Sequence, residues 1–211
     1  MIGANKVRLP AMQIFHPQRS NFLKLRIILE QIVYIYNSTI RVYTIIGVVI
    51  AVDMHSHILW NVDDGPKKME ETMKLFEQAV KEGITQIIST SHSNHPLFDV
   101  DYHAVTDQIN LLQDELTNHC IPLTLHTGHE VRLSEKIIPL YKSNHIHTLA
   151  NSQYFLLELP SNSVPTYTKH IIHALLTEGI TPIIAHPERN KAIVEKLARW
   201  SILSFKGRLH K

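Results

Sequence analysis

Five apolar runs of strand length punctuate the chain from about residue 48 onward, with stretches of helical spacing between them. The runs are VVIAVDMHSH, ITQIISTSH, IPLTLHTGHEV, YFLLELP and TPIIAHPER. Such alternation is the pattern of β/α units around a parallel sheet, so an α/β fold is expected. The clearest helix starts after Gly65-Pro66, places Met69, Met73, Phe76 and Val80 on one face, and stops at Gly83, a residue suited to a left-handed cap. Further helices are expected over Tyr102–Asn118, Ser134–Lys142 and Pro165–Glu178, the last closed by Gly179.

Composition narrows the function. The chain carries 21 Lys+Arg against 19 Asp+Glu, a net +2, which gives no positive field of the size nucleic acid needs. Its single cysteine, Cys120, excludes a disulfide scaffold and a four-thiolate zinc site, and it agrees with a reducing, cytoplasmic compartment. The first 47 residues differ in texture. They are basic (Lys6, Arg8, Arg19, Lys24, Arg26, Arg41), with Glu30 the only acid, and the only strand-like part here is the run into His55. The longest uncharged apolar run, Val42–Val52, has 11 residues where a membrane helix needs about 20. The outstanding count is 15 histidines in 211 residues, and imidazole is the commonest metal ligand.

Those histidines sit where a parallel sheet builds its sites, at the carboxyl ends of strands. The first run delivers His55-Ser56-His57, two imidazoles at a spacing that shares one face of a strand, with Asp63-Asp64 in the following loop. The second ends at His92, with His95 behind it. The third ends at Glu130 after His126 and His129, and the fifth leads into His186-Pro187-Glu188-Arg189. Any one of these has an ordinary reading as a turn or a surface histidine. Their coincidence at equivalent positions points to metal. Imidazoles mixed with carboxylates and no thiolate suit Mn, Fe or Zn, and the number of ligands suggests more than one ion. Glu130, the carboxylate at a strand end in the middle of the set, is the candidate to bridge two of them.

The segments Asp53-Met54-His55-Ser56-His57, Val62-Asp63-Asp64-Gly65-Pro66, Ser89-Thr90-Ser91-His92, Gly128-His129-Glu130, Leu157-Glu158-Leu159-Pro160 and Ala185-His186-Pro187-Glu188-Arg189 resemble the bacterial CpsB/CapC protein-tyrosine phosphatases. That family lies within the polymerase-and-histidinol-phosphatase superfamily of metallo-hydrolases. The resemblance implies a distorted, TIM-like β/α barrel holding two or three manganese ions. The implied substrate is the phosphotyrosine tail of a capsule or exopolysaccharide tyrosine kinase, with membrane contact only through that partner. Carried over position by position, it implies His55, His57, Asp64, His92, Glu130 and His186 as metal ligands and Arg189 as a phosphate contact. Asn162 stands where some members have a further histidine. His95, His126 and His129 are expected outside the ligand set, and His103, His119, His145, His147, His170 and His173 in solvent.

A thiol mechanism fails on spacing. A cysteine phosphatase needs an arginine six residues after its nucleophile, and the residue six after Cys120 is His126. No GxxxxGK[ST] loop supports nucleotide hydrolysis. The phosphatase domain is expected over 48–198, with 1–47 lacking a family counterpart and 199–211 reading as a divergent tail. No Asp-x-His pair, which the family supplies from a late strand, follows His186. The expectation is a barrel incomplete at its carboxyl end, short of ligands for one ion. Three other readings stay open: an inactive remnant that at most binds the kinase tail, another phosphoesterase of the superfamily such as a histidinol-phosphate phosphatase, and a membrane-anchored variant.

Overall fold

The computed structural model describes residues 49–196, with side chains from residue 51, and the backbone of two strands before them, β1 (Val33–Tyr34) and β2 (Thr39–Tyr43). The rest of the expected 1–47 extension and the 199–211 tail lie outside the described residues. The α/β reading holds. The first run forms β3 (Val49–Ser56), followed by α1 (Met69–Lys81). The second forms β4 (Ile84–Ser89) and β5 (Ser91–Ser93), followed by α2 (Tyr102–Asn118). The third forms β6 (Thr124–His126) and β7 (His129–Arg132), followed by α3 (Ile137–Lys142). The last two form β8 (Tyr154–Glu158) and β9 (Thr181–Ile184), separated by α4 (Thr168–Thr177).

Two of the expected strands are therefore split, for reasons outside their own apolar pattern. Between β4 and β5, Thr90 turns toward β3: its N–H donates to the Ser56 carbonyl at 2.9 Å, and its Oγ1 accepts from the Ser56 N–H at 2.9 Å. Between β6 and β7 the backbone passes so near β4 that a Cβ on Gly128 would meet the Ser89 carbonyl at 2.8 Å, and glycine is what fits. The strands form two sheets, in the order β2-β3-β4-β6 and β1-β9-β8-β7-β5, and each of the two split runs contributes to both. All these pairings are parallel except β2 with β3. Among the described residues the strands divide between two sheets, and no closed ring is formed. A strand unforeseen in the sequence, β2, runs antiparallel along β3 from Thr39 opposite Asp53 to Tyr43 opposite Val49.

The helices cover the sheets as their apolar faces require. Phe76 and Ala79 of α1 and Val105, Ile109, Leu112 and Leu116 of α2 pack with Ile87 and Leu125 from β4 and β6. Ile137 of α3 and Ile171 and Leu175 of α4 pack with Val131, Phe155 and Leu157. The alternation along β8 sends Leu156 the other way, to a small cluster with Ile88, Ile183 and Ala185. Helix starts are later than the pattern alone suggests. The Ser134 hydroxyl oxygen takes the Lys136 N–H at 3.1 Å and an Asn94 side-chain N–H at 2.7 Å, so the chain turns before α3 begins. Helix α2 starts where expected because Asp101 caps it, accepting from the Ala104 N–H at 2.9 Å. No helix among the described residues is long and apolar enough to cross a membrane.

Candidate metal centre

Glu130, 1% exposed on β7, is the hub. One carboxylate oxygen, Oε2, lies 2.9 Å from His55 Nε2 and 3.1 Å from His57 Nε2. The other, Oε1, lies 2.6 Å from His186 Nε2. The strand ends carrying the candidate ligands converge on this carboxylate. The pairing of β3 with β4 shifts register between Asp53 and Ser56, the stretch that carries His55. His186 follows β9 with φ 28°, a left-handed backbone unusual for a residue other than glycine, held between Ala185 and the turn that Pro187 begins.

A second layer extends the cluster. Asp64 Oδ1 is 3.2 Å from His57 Nδ1 and 3.6 Å from His92 Nε2. Buried Asp63 accepts from the Gly65 N–H at 2.9 Å and the His92 N–H at 3.1 Å, and it orients His57 through Nδ1 at 3.0 Å. A carboxylate behind an imidazole in this way fixes which ring nitrogen faces inward. All six ligand positions carried over from the family are thus brought together. Arg189 is exposed in the Pro187–Arg189 turn just after His186.

The side chains fall into three overlapping donor groups: His55, His57 and Glu130; His57, Asp64 and His92; and Glu130, Glu158 and His186. Glu158 is the residue that sequence reasoning passed over. It ends β8, the YFLLE run, and a carboxylate closing an apolar run was the available signal, the one that pointed to Glu130 in the sequence although β7 itself continues to Arg132. Its Oε2 is buried without a hydrogen-bond partner, as is His92 Nδ1, and the two lie 3.9 Å apart. Unpartnered lone pairs in a buried site are costly unless something fills the space between them.

Electrostatics say the same. Burial alone would raise the Glu130 pKa, but the hydrogen bonds from His186, His55 and His57 hold it well below the usual carboxylate range. Burial works against a charge on His57, yet hydrogen bonds to Asp63 and Glu130 push its pKa up to about 10. His186 is raised as well, its burial outweighed by Glu130, whereas burial lowers His92. Without a cation, protons must occupy the space between imidazoles and carboxylates. Divalent cations would replace them, and the donor set of imidazole nitrogen and carboxylate oxygen fits such ions.

The remaining histidines are placed apart. His95 stacks on His92 with ring centres 4.6 Å apart, at the rim. His126 pairs with the Gln86 side chain at 2.9 Å, and His129 is fully buried, accepting from the His147 N–H at 2.8 Å. His147 corrects the expectation of a solvated ring. It is 3% exposed, stacked on Tyr102 of α2 with centres 3.6 Å apart. Asn162 is exposed and belongs to none of the three donor groups.

Comparison with known proteins agrees with this geometry. The sequence profile described as "Capsular polysaccharide synthesis, CpsB/CapC" matches residues 51–209. The chain is 42% identical over 146 residues to the CapC protein of Staphylococcus aureus, covering 69% of this chain and 57% of that protein. It is 33% identical over 144 residues to the tyrosine-protein phosphatase YwqE of Bacillus subtilis, covering 68% and 57%. Against the tyrosine-protein phosphatase CpsB of Streptococcus agalactiae it is 33% identical over 151 residues, covering 70% and 61%. A crystal structure from work on YwqE of Bacillus subtilis and CpsB of Streptococcus pneumoniae, described as metal-dependent tyrosine phosphatases, superposes with a TM-score of 0.66 at 33% identity, over 68% of this chain and 58% of that one. The chain spans about three-fifths of the length of these curated relatives. With the profile match spanning most of the chain, the protein belongs to the CpsB/CapC family of capsular polysaccharide synthesis.

Proposed function

We propose that the protein is a metal-dependent phosphatase acting on phosphotyrosine, with Glu130 at the centre of its metal site. The observation that carries this reading is the convergence of three imidazoles on one buried carboxylate, flanked by the unpartnered His92 Nδ1 and Glu158 Oε2. His55, His57, Asp64, His92, Glu130, Glu158 and His186 would hold the ions, with Glu130 shared between two donor groups. Once bound, divalent cations supply Lewis-acid stabilisation of phosphoryl oxygens and lower the pKa of water. Asp63 keeps His57 oriented. Arg189, one turn past His186, offers a planar fork of donors to two phosphate oxygens at once.

Manganese is the proposed metal, with iron or zinc meeting the same donor chemistry. The proposed substrate is the phosphotyrosine tail of a capsule or exopolysaccharide tyrosine kinase in the cytoplasm. The family likeness supports both. The barrel reading is part of the same proposal: five parallel runs in chain order, covered by helices, suit a distorted β/α barrel.

The test is hydrolysis of a phosphotyrosyl peptide by the full chain with added Mn2+, before and after chelation. Activity should require the metal, survive Cys120→Ser unchanged, and exceed activity on histidinol phosphate. Loss of activity in Cys120→Ser, or turnover that chelation leaves intact, refutes the reading. No turnover with the metal bound would favour a binding protein without catalysis.

A further inference from the structure

Arg132 and Glu158 face each other across β7 and β8, paired in register at the edge of the metal centre. The guanidinium Nη1 donates to Glu158 Oε1 at 2.9 Å, with the two side chains only 19% and 9% exposed. Among the described residues this is the one hydrogen bond that the Arg132 side chain makes. Both partners are fixed from behind. The Asn94 side chain donates to the Arg132 carbonyl at 2.9 Å, and the Leu133 N–H donates to the Glu158 carbonyl at 2.8 Å. The arrangement is asymmetric. One Glu158 oxygen is taken by arginine, while the other is buried, unpartnered and directed at His92.

We propose that Arg132 is a positioning residue: it holds Oε1 of Glu158 so that Oε2 alone is presented to the ion shared with Glu130 and His186. The inference rests on the metal reading above and adds to it a residue that touches neither ion nor substrate. A carboxylate free to rotate offers either oxygen or both. One clamped by a cation has its donor atom and direction set before the ion arrives, and partners of this kind change metal affinity by about 10–100-fold when lost. The guanidinium also compensates a buried carboxylate that would otherwise face the site unpaired.

The experiment is a Mn2+ titration by calorimetry, with bound metal counted by elemental analysis, on the full chain and on Arg132→Met, Arg132→Lys, Glu158→Gln and Arg132→Met/Glu158→Gln. Arg132→Met should weaken one class of Mn2+ site by about 10–100-fold. Arg132→Lys should recover part of that loss. The double variant should bind no worse than Glu158→Gln alone, because Arg132 acts through Glu158. Unchanged Mn2+ affinity in Arg132→Met together with loss in Glu158→Gln overturns the positioning role while leaving the metal centre intact. Full additivity in the double variant overturns it too. Unchanged binding in Glu158→Gln refutes the third donor group and the proposal with it. Should Arg132→Met fail to fold, Arg132→Lys carries the test: affinity equal to that of the parent protein, with a lowered melting temperature, marks a purely structural ion pair.

Discussion

Replacing Glu130 by Gln is the most incisive perturbation of this centre, because it removes one charge and almost no volume. Glu130 takes part in two of the three donor groups and is absent from the third, His57, Asp64 and His92. Unit charges about 4 Å apart at an effective dielectric near 20 interact with about 4 kcal/mol. The amide oxygen of Gln restores part of this, leaving a loss of about 2–3 kcal/mol at each of the two affected groups. That corresponds to binding weakened by about 30- to 150-fold. The group lacking Glu130 should change by no more than about threefold, a difference near 0.6 kcal/mol. Hydrolysis should fall at least about a hundredfold, as expected when one strong electrostatic contact near 2.7 kcal/mol is lost. Calorimetric Mn2+ titration, paired with initial rates on a phosphotyrosyl peptide, reads both quantities. A uniform loss across all sites, or near-normal hydrolysis, would refute Glu130 as the shared ligand.

Two other outcomes can be checked directly. Arg189→Ala should lower kcat/KM for phosphotyrosine by about 10–100-fold, the size of one charge-assisted contact of roughly 1.5–3 kcal/mol. Bound metal should stay the same; a changed metal count would place Arg189 in support of His186 instead. Asp101→Ala should destabilise the fold by about 1 kcal/mol through loss of the α2 cap. The hydrogen bond from the Ala104 N–H holds the Asp101 pKa below its ordinary value of 3.8, so this contribution is present above that value and is lost as pH falls through the folded pKa. Thermal unfolding of parent and variant should differ near neutrality and converge in acid. A difference that persists at the lowest pH would assign the loss to something other than the ionised cap.

The strand ends carrying His55, His57, His92, Glu130 and His186 were legible because each local pattern, an apolar run ending in a ligand-type residue, states its own position in the fold. Helix α2 spans the residues expected of it, Tyr102–Asn118. What escaped detection depends on contacts between residues far apart. His147 sits in an unremarkable loop, and its burial comes from residues distant in sequence, the Tyr102 ring 45 residues earlier and His129. Nothing within ITQIISTSH announces the break at Thr90, which Ser56 of another strand imposes. Glu158 could be seen as a strand-end residue, yet the opening of its second oxygen toward His92 is a property of three strands together.

The double membership of His57 and Glu130 means that the donor groups are not separate compartments. An ion seated in one group would order a side chain that its neighbour also needs, which would favour a second ion, while its charge across the shared carboxylate would oppose it. Whatever the balance, the influence is mutual, since each ion must alter the other's affinity by the same factor. Filling of such a centre would be linked from group to group: a substitution at Glu130 or His57 would act most on the two groups that residue serves, and would reach the third only weakly, through the neighbouring ion.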